Sequence, residues 1–376
     1  MKLRYNHTAV RFRPPKDLKG PYLVLSNHVM DIDPFTVGLS FREPIFYVAS
    51  DMIFSVRFWA FFMKKLVMPI PKTKYRSDLA TIRDIKSVVK SGGSIGIFPE
   101  GNATFDGRLM EMPKAIGKLV KLLKVPVLLY SIEGGHLSNP RWGRGVRKGY
   151  MKGSVKRILR PEEYKELSPE DILSMIETEL AVDDLAFAER HSTLYKGSAP
   201  AEYFESAYFF CPACGVFDTL QSEKDAVHCT SCGFTAAIDG WGRFHPAESE
   251  GSPILSHEWH DKQKRALRER IDNHPLDKEL FADEGERVLD VVRSTKKTLL
   301  GEGEVSLFPS RIVVEIPGKE RIEWSVEHLD AAVQQRNKLI IHNRDEDRTL
   351  YLLNHPRRNA LKYVLAIEYM RGSVIT

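Results

Sequence analysis

The sequence predicts a multidomain chain: an α/β domain, then a small module pinned by four cysteines, then a β-rich C-terminal domain. Three observations carry this prediction. Two apolar runs, Tyr22–Leu25 and Ser94–Phe98, each end in turn residues, as buried strands of an α/β sheet do. Two Cys-x-x-Cys pairs, Cys211/Cys214 and Cys229/Cys232, stand fourteen residues apart. Between residues 287 and 353, short runs of strand-forming residues follow one another at close spacing.

In the α/β domain the informative stretch is Asn27-His28-Val29-Met30-Asp31-Ile32-Asp33-Pro34, directly after the first apolar run. Asp33-Pro34 predicts a helix start, with aspartate at the N-cap and proline at the first helical position. His28 then lies in a strand-to-helix turn at the carboxyl edge of the sheet, where open α/β sheets place their ligands. A carboxylate on one ring nitrogen fixes the tautomer, leaves the other nitrogen to accept a proton, and stabilises the imidazolium that forms. Asp33, five residues on, is one candidate for that carboxylate and Asp31, three residues on, is another. A plainer alternative stays open, in which Asp33 only caps the helix and His28 only bonds a loop carbonyl. Phe98-Pro99-Glu100-Gly101 closes the second apolar run, so Glu100 is expected at the same edge of the sheet as His28. A Pro-Glu-Gly turn alone is only a turn. Paired with the histidine turn in this order, it points to acyl transfer to a hydroxyl with a histidine as base.

With these two motifs the chain resembles the glycerolipid acyltransferases of the 1-acylglycerol-3-phosphate acyltransferase type, over roughly residues 15–150. His28, four spacer residues and Asp33 match that family's first block, and Phe98–Gly101 matches its third. Leu66–Lys72 stands in the place of the second block, with lysine where arginine is usual. Gly107, Lys114 and Gly117 follow the third, and Val125–Tyr130 stands as the fourth with one proline. The resemblance implies an α/β glycerolipid acyltransferase-like fold in which His28 deprotonates the acceptor hydroxyl and Asp33 orients the ring. It implies substrate-binding roles for Asn27, Glu100, Gly101 and Lys114, and places Lys72 at the acceptor's phosphate. The implied donor is a thioester of coenzyme A (acyl-CoA) or of acyl carrier protein, and the implied acceptor is a lysophospholipid.

Met52–Lys65 is rich in aromatics and carries only basic charge. Arg57 and Lys64-Lys65 interrupt it too often for a membrane span. It reads either as a helix lying at a membrane surface or as a core helix with a basic end. Arg141, Arg144, Arg147 and Lys148 form a basic group that reads as a phosphate or headgroup contact, or as a solvated loop. Lys72, Lys74 and Arg76 form a similar cluster.

Two Cys-x-x-Cys knuckles supply four thiolates, which suit a closed tetrahedral Zn2+ site in a zinc ribbon. Such a site has no open coordination position, so the metal is expected to be structural. Disulfides are the alternative, and His228 beside Cys229 is an alternative ligand. The module is rich in acids (Glu202, Glu205, Asp218, Glu223, Asp225, Asp239), so no nucleic-acid partner is expected.

The expected boundaries are 1–196 for the acyltransferase domain, 204–246 for the ribbon, 254–282 for a helical connector and 285–376 for the β domain. Ser168-Pro169-Glu170-Asp171 opens a helix late in the first domain. Gly197–Pro200 and Glu248–Pro253 read as linkers. The polar helix beginning near His257 reads as a solvated connector, with a metal site at its two histidines as the alternative. Strands are expected at 287–292, 305–308, 311–316, 321–324, 338–341 and 348–353, with turns at Pro317-Gly318 and Asn343–Asp345. An amphipathic helix is expected from about Pro356 to Met370. Hairpins closed by a helix resemble the pleckstrin-homology-like (PH-like) fold, with Arg336–Lys338 and Arg357-Arg358 as headgroup contacts or solvated surface.

Length and composition agree. A chain of 376 residues accommodates two or three domains, and 43% hydrophobic content is ordinary for a globular protein. The net charge of +5 is too mild to indicate a polyanion partner by itself. No apolar run is long enough to span a bilayer, and Met1–Tyr5 lacks the apolar core of an export signal. The expected location is therefore cytoplasmic and peripheral, on the inner membrane face. The expected function is acyl transfer from a thioester to a lysophospholipid hydroxyl at a membrane surface. The alternatives are an inactive lipid-binding scaffold and a thioesterase.

Overall fold

Leu23–Ser26 is buried along its whole length, the mark of a central strand covered on both faces. In a computed structural model of the chain it lies in the middle of a seven-stranded sheet. The structure describes residues 6–50, 70–72, 79–247, 251–293, 296–334 and 337–372. The stretch Met52–Lys65, most of Leu66–Lys72, Lys74, Arg76 and Arg336 lie outside the described residues. The chain divides into two compact units, one of residues 1–141 and 145–197, the other of residues 142–144 and 198–376.

The first unit is an α/β sheet in the order β1-β7-β6-β2-β5-β3-β4. Its strands are β1 (His7–Ala9), β2 (Leu23–Ser26), β3 (Ile45–Ser50), β4 (Ile70–Lys72), β5 (Ser94–Ile97), β6 (Val127–Glu133) and β7 (Met151–Leu159). β2 runs parallel to β5 on one side and to β6 on the other, with Leu25 opposite Ile97 and Leu129. β7 is antiparallel to β6. Successive side chains of a strand point to opposite faces. Leu23 and Leu25 accordingly join a core with Ile116, Val120, Ile172 and Ile176, which come from the helices Ala115–Leu123 and Pro169–Leu180. Val24 joins a second core with Val37, Leu128 and Tyr130, on the side of the helix Asp33–Ser40. The helix Pro169–Leu180 begins with a capping box between Ser168 and Asp171, as its sequence predicts. Gly117 brings the two packed helices together: a Cβ there would lie 1.9 Å from the Pro169 carbonyl oxygen.

The second unit holds two antiparallel sheets. The first has the order β12-β11-β10-β9-β8, from β8 (Leu220–Glu223), β9 (Ala226–Cys229), β10 (Thr235–Ile238), β11 (Arg243–Pro246) and β12 (Ile254–Leu255). The other has the order β16-β15-β14-β13-β19-β18-β17. Its strands are β13 (Phe281–Arg293), β14 (Lys296–Leu307), β15 (Arg311–Glu315), β16 (Ile322–Ser325), β17 (Leu329–Gln334), β18 (Lys338–Asn343) and β19 (Arg348–Leu353). Here β17 is an addition to the strands the sequence predicts.

Three expectations are corrected in this unit. The helix Ser256–Asp272 is not a solvated connector: Trp259, Gln263, Leu267 and Ile271, four residues apart in turn, form a buried stripe. Its His260 bonds Gln263 through Nδ1 at 2.8 Å. The C-terminal helix spans Leu361–Met370, starts later than expected, and is buried all round from Leu361 to Ile367 instead of on one face. Arg357 and Arg358 are not solvated surface. Arg357 pairs with Glu202 and Glu205, and Arg358 with Asp283 at 3.2 Å and Glu286. The acids lie far away in sequence, so local composition does not reveal the pairing. Phe281 of β13 packs against Phe209, edge to face, and against Phe217 of the cysteine module, so the parts expected at 204–246, 254–282 and 285–376 share one packed unit.

Candidate active site and cysteine centre

β2 and β5 end side by side, which brings the His28 turn against the Glu100 turn. Asp33 is the first residue of its helix; the N-cap is Ile32, with no side-chain cap. The expected capping role is therefore corrected. The Asp33 carboxylate, fully buried, turns back into the preceding loop. Its Oδ2 accepts from the Val29 amide at 2.7 Å and the Met30 amide at 2.9 Å, and lies 2.8 Å from His28 Nδ1. Three donors on one oxygen fix the carboxylate, and the carboxylate in turn fixes the ring. With Nδ1 facing the acid, Nε2 is the atom left to take a proton. The rival, Asp31, is exposed.

The backbone of His28 is held from both sides. Its N–H donates to Glu100 Oε1 at 2.6 Å, and its carbonyl accepts from the Thr104 amide at 3.0 Å. Its ring rests on Phe98, centroids 4.6 Å apart, and Phe98 stacks on Tyr47. The imidazole keeps 19% of its surface exposed, so it is oriented from below and reachable from above.

Glu100 is buried, and both of its oxygens are engaged by the main chain, Oε1 by His28 and Oε2 by the Met110 amide at 2.8 Å. Burial pushes its carboxyl up to about 8. Gly101 has a φ of +72°, which the turn requires and which only glycine adopts at no cost. The Asn27 amide exchanges two hydrogen bonds with the backbone of Ile132, at 3.0 and 2.8 Å, and so ties β2 to β6. Expected as substrate contacts, Asn27 and Glu100 thus hold the loops that carry His28. Lys114 is exposed at the start of the helix Ala115–Leu123. Lys72 ends β4, opposite Ser50 of β3. That is three strands from β2, roughly 14 Å across the sheet.

The basic group after β6 is not a solvated loop throughout. Arg147 is buried, and burial lowers its pKa to about 10. Arg141 donates to the Ala103 carbonyl at 2.7 Å and lies over the Phe105 ring. The residues that sequence reasoning missed are Thr104 and Met110. Both act through backbone amides, which leave no mark on side-chain type.

The four cysteines converge. Their sulfurs all lie within 4.8 Å of one another, with Cys211–Cys232 and Cys214–Cys229 each 3.8 Å apart. A disulfide needs about 2.05 Å, so the disulfide alternative is excluded. A tetrahedral metal with bonds of about 2.3 Å to sulfur spaces its ligands at about 3.8 Å, so the thiolates fit a metal ion. Among the described residues the cluster contains these cysteines and no histidine, which sets His228 aside. Gly215 and Gly233 take φ of +76° and +77°, and each donates its N–H to the carbonyl of the first cysteine of its knuckle.

Comparison with known proteins matches the Acyltransferase family profile to residues 6–133, about a third of the chain. The chloroplastic 1-acyl-sn-glycerol-3-phosphate acyltransferase BAT2 of Brassica napus is 28% identical over 146 residues, 38% of this chain and 41% of the relative. The 1-acyl-sn-glycerol-3-phosphate acyltransferase of Saccharomyces cerevisiae is 24% identical over 159 residues, 41% of this chain and 51% of the relative. The chain thus spans about half the length, or less, of the curated relatives it matches. Among solved structures, the 1-acyl-sn-glycerophosphate acyltransferase PlsC of Thermotoga maritima aligns at 20% identity over 47% of this chain and 68% of its own, with a TM-score of 0.36. Among the described residues no helix is long and apolar enough to cross a membrane.

Proposed function

We propose that the first unit transfers a fatty acyl group from a thioester, of coenzyme A or of acyl carrier protein, to the hydroxyl of a lysophospholipid. The observation that carries this reading is the 2.8 Å contact between His28 Nδ1 and a buried Asp33 oxygen, at a reachable ring. The acceptor hydroxyl gives its proton to His28 Nε2 as its oxygen attacks the thioester carbonyl carbon. The carbon–sulfur bond then breaks, and the departing thiolate takes the proton from the imidazolium. A histidine base of this kind contributes about 10²–10⁴-fold. Glu100, Asn27 and Gly101 are positioning residues for the two loops. Lys72 and Lys114 are read as basic contacts of the acceptor. The chain acts peripherally, at the cytoplasmic face of a membrane.

We assign Zn2+ to Cys211, Cys214, Cys229 and Cys232 as a structural ion; when bound, it supplies cross-linking and no chemistry. The seven antiparallel strands and closing helix of the second unit are read as PH-like.

The test is an incubation of purified protein with labelled acyl thioester and a panel of lysolipids. Acylated lipid from the wild type, and none from His28→Ala, supports the proposal. Free fatty acid released without regard to lysolipid identifies a thioesterase. Lipid binding with no product identifies a scaffold.

A further inference from the structure

The basic side chains along the carboxyl edge of the sheet differ in how they are held. Arg108 is bonded to Asp106, with N···O distances of 2.9 and 2.6 Å. Lys114 is exposed on a helix end. Arg141 reaches the loop that follows Glu100. One guanidinium nitrogen donates to the Ala103 carbonyl at 2.7 Å. The guanidinium carbon lies 4.1 Å from the centroid of Phe105. Ala103 and Phe105 flank Thr104, whose amide holds the His28 carbonyl. Arg141 keeps partial access to solvent.

A lysophospholipid presents a hydroxyl to be acylated and, a few bonds away, a phosphate. A guanidinium is always charged, and its planar fork matches phosphate oxygens. Fixed by a carbonyl and an aromatic face, such a group loses little freedom on taking up an anion. Burial lowers the Arg141 pKa to about 10, which leaves it charged at neutral pH.

We infer that Arg141 holds the phosphate of the acceptor, so that it selects a phosphate-bearing acceptor over a neutral monoacylglycerol. This rests on the acyl-transfer reading of the same site. Lys72, three strands away at the sheet edge, is then not the principal phosphate contact.

The experiment compares a short-chain lysophosphatidate with the monoacylglycerol of the same chain, using the full-length protein and one acyl thioester. Arg141→Gln raises KM for lysophosphatidate by roughly 10–100-fold, the range for losing a charged hydrogen bond, and leaves kinetics with monoacylglycerol within about twofold. Arg141→Lys, which keeps the charge and loses the fork, falls between. Equal loss with both acceptors, or no change with either, overturns the inference and gives Arg141 a purely architectural task. Calorimetric titration with the same lysophosphatidate below its micelle concentration decides independently of turnover. Weaker binding by Arg141→Gln than by wild type supports the inference, and equal affinity overturns it. Absence of product from either lipid counts against the acyl-transfer reading alone. If Arg141→Gln does not fold, Arg141→Lys carries the decision in both measurements.

Discussion

In the proposed reaction Asp33 matters most because one oxygen does three things at once. It takes two backbone amides and the His28 ring, so neither loop nor imidazole can turn without breaking the others. His28→Ala is expected to lower kcat by about 10²–10⁴-fold in the acyl-transfer assay, with little change in melting temperature, since the ring is partly exposed. Asp33→Asn is expected to cost activity, because an amide oxygen can take the same three donors but carries no charge to stabilise the imidazolium. Glu100 gives a pH signature. Its carboxyl ordinarily titrates at 4.5 and is raised by burial to about 8. Between those values the unfolded chain has released a proton that the folded chain keeps, so this residue's contribution to stability falls as pH rises from about 4.5 to about 8. Denaturant unfolding across that range should show the decline. Glu100→Gln should flatten it and should also lose roughly 1–3 kcal/mol, because its NH₂ must face the amide of His28 or of Met110. The pairing of His28 with Asp33 is legible in sequence because both lie in one turn. The task of Glu100 is not, since its partners are main-chain amides 72 and 10 residues away.

Among the elements, close approach of two helices rests on one missing side chain. Gly117→Ala would place a Cβ 1.9 Å from the Pro169 carbonyl oxygen, and backbone cannot swing aside as a side chain can. The two helices must separate, and a stability loss of about 1–3 kcal/mol is expected in urea denaturation. Ser168→Ala removes the cap of the Pro169–Leu180 helix and should cost about 1 kcal/mol. Elements built from local signals are the legible ones: the strands at Leu23 and Ser94, the capped helix at Ser168 and the hairpins on either side of Pro317-Gly318 and Asn343–Asp345. Elements settled by distant partners are not. β17 reads Leu-Asp-Ala-Ala-Val-Gln, with weak strand propensity, and is held by its pairing with β18. The helix Ser256–Asp272 is polar in bulk and gives itself away only in the stripe from Trp259 to Ile271.

At the scale of the whole chain, the cysteine module and the β domain are tied by residues far apart in sequence. Arg357 reaches Glu202 at 2.5 Å, Lys362 reaches Asp218 at 3.0 Å, and Phe281 packs on Phe209 and Phe217. No local pattern announces such contacts, which is why three separate pieces were expected. The consequence is coupling. Elemental analysis should find one zinc per chain, and a chelator should lower the melting temperature of the β domain along with that of the ribbon, as should Cys229→Ala. A β domain that melts unchanged without metal would show that the shared packing is energetically slight.

The most direct test of the central claim is the transfer of labelled acyl groups from a thioester to a lysophospholipid by wild type and His28→Ala, with folding checked by circular dichroism. The His28–Asp33 geometry predicts acylated lipid from the wild type and a loss of about 10²–10⁴-fold in the folded variant. Equal product from both proteins, or none from the wild type with any lysolipid, would contradict it.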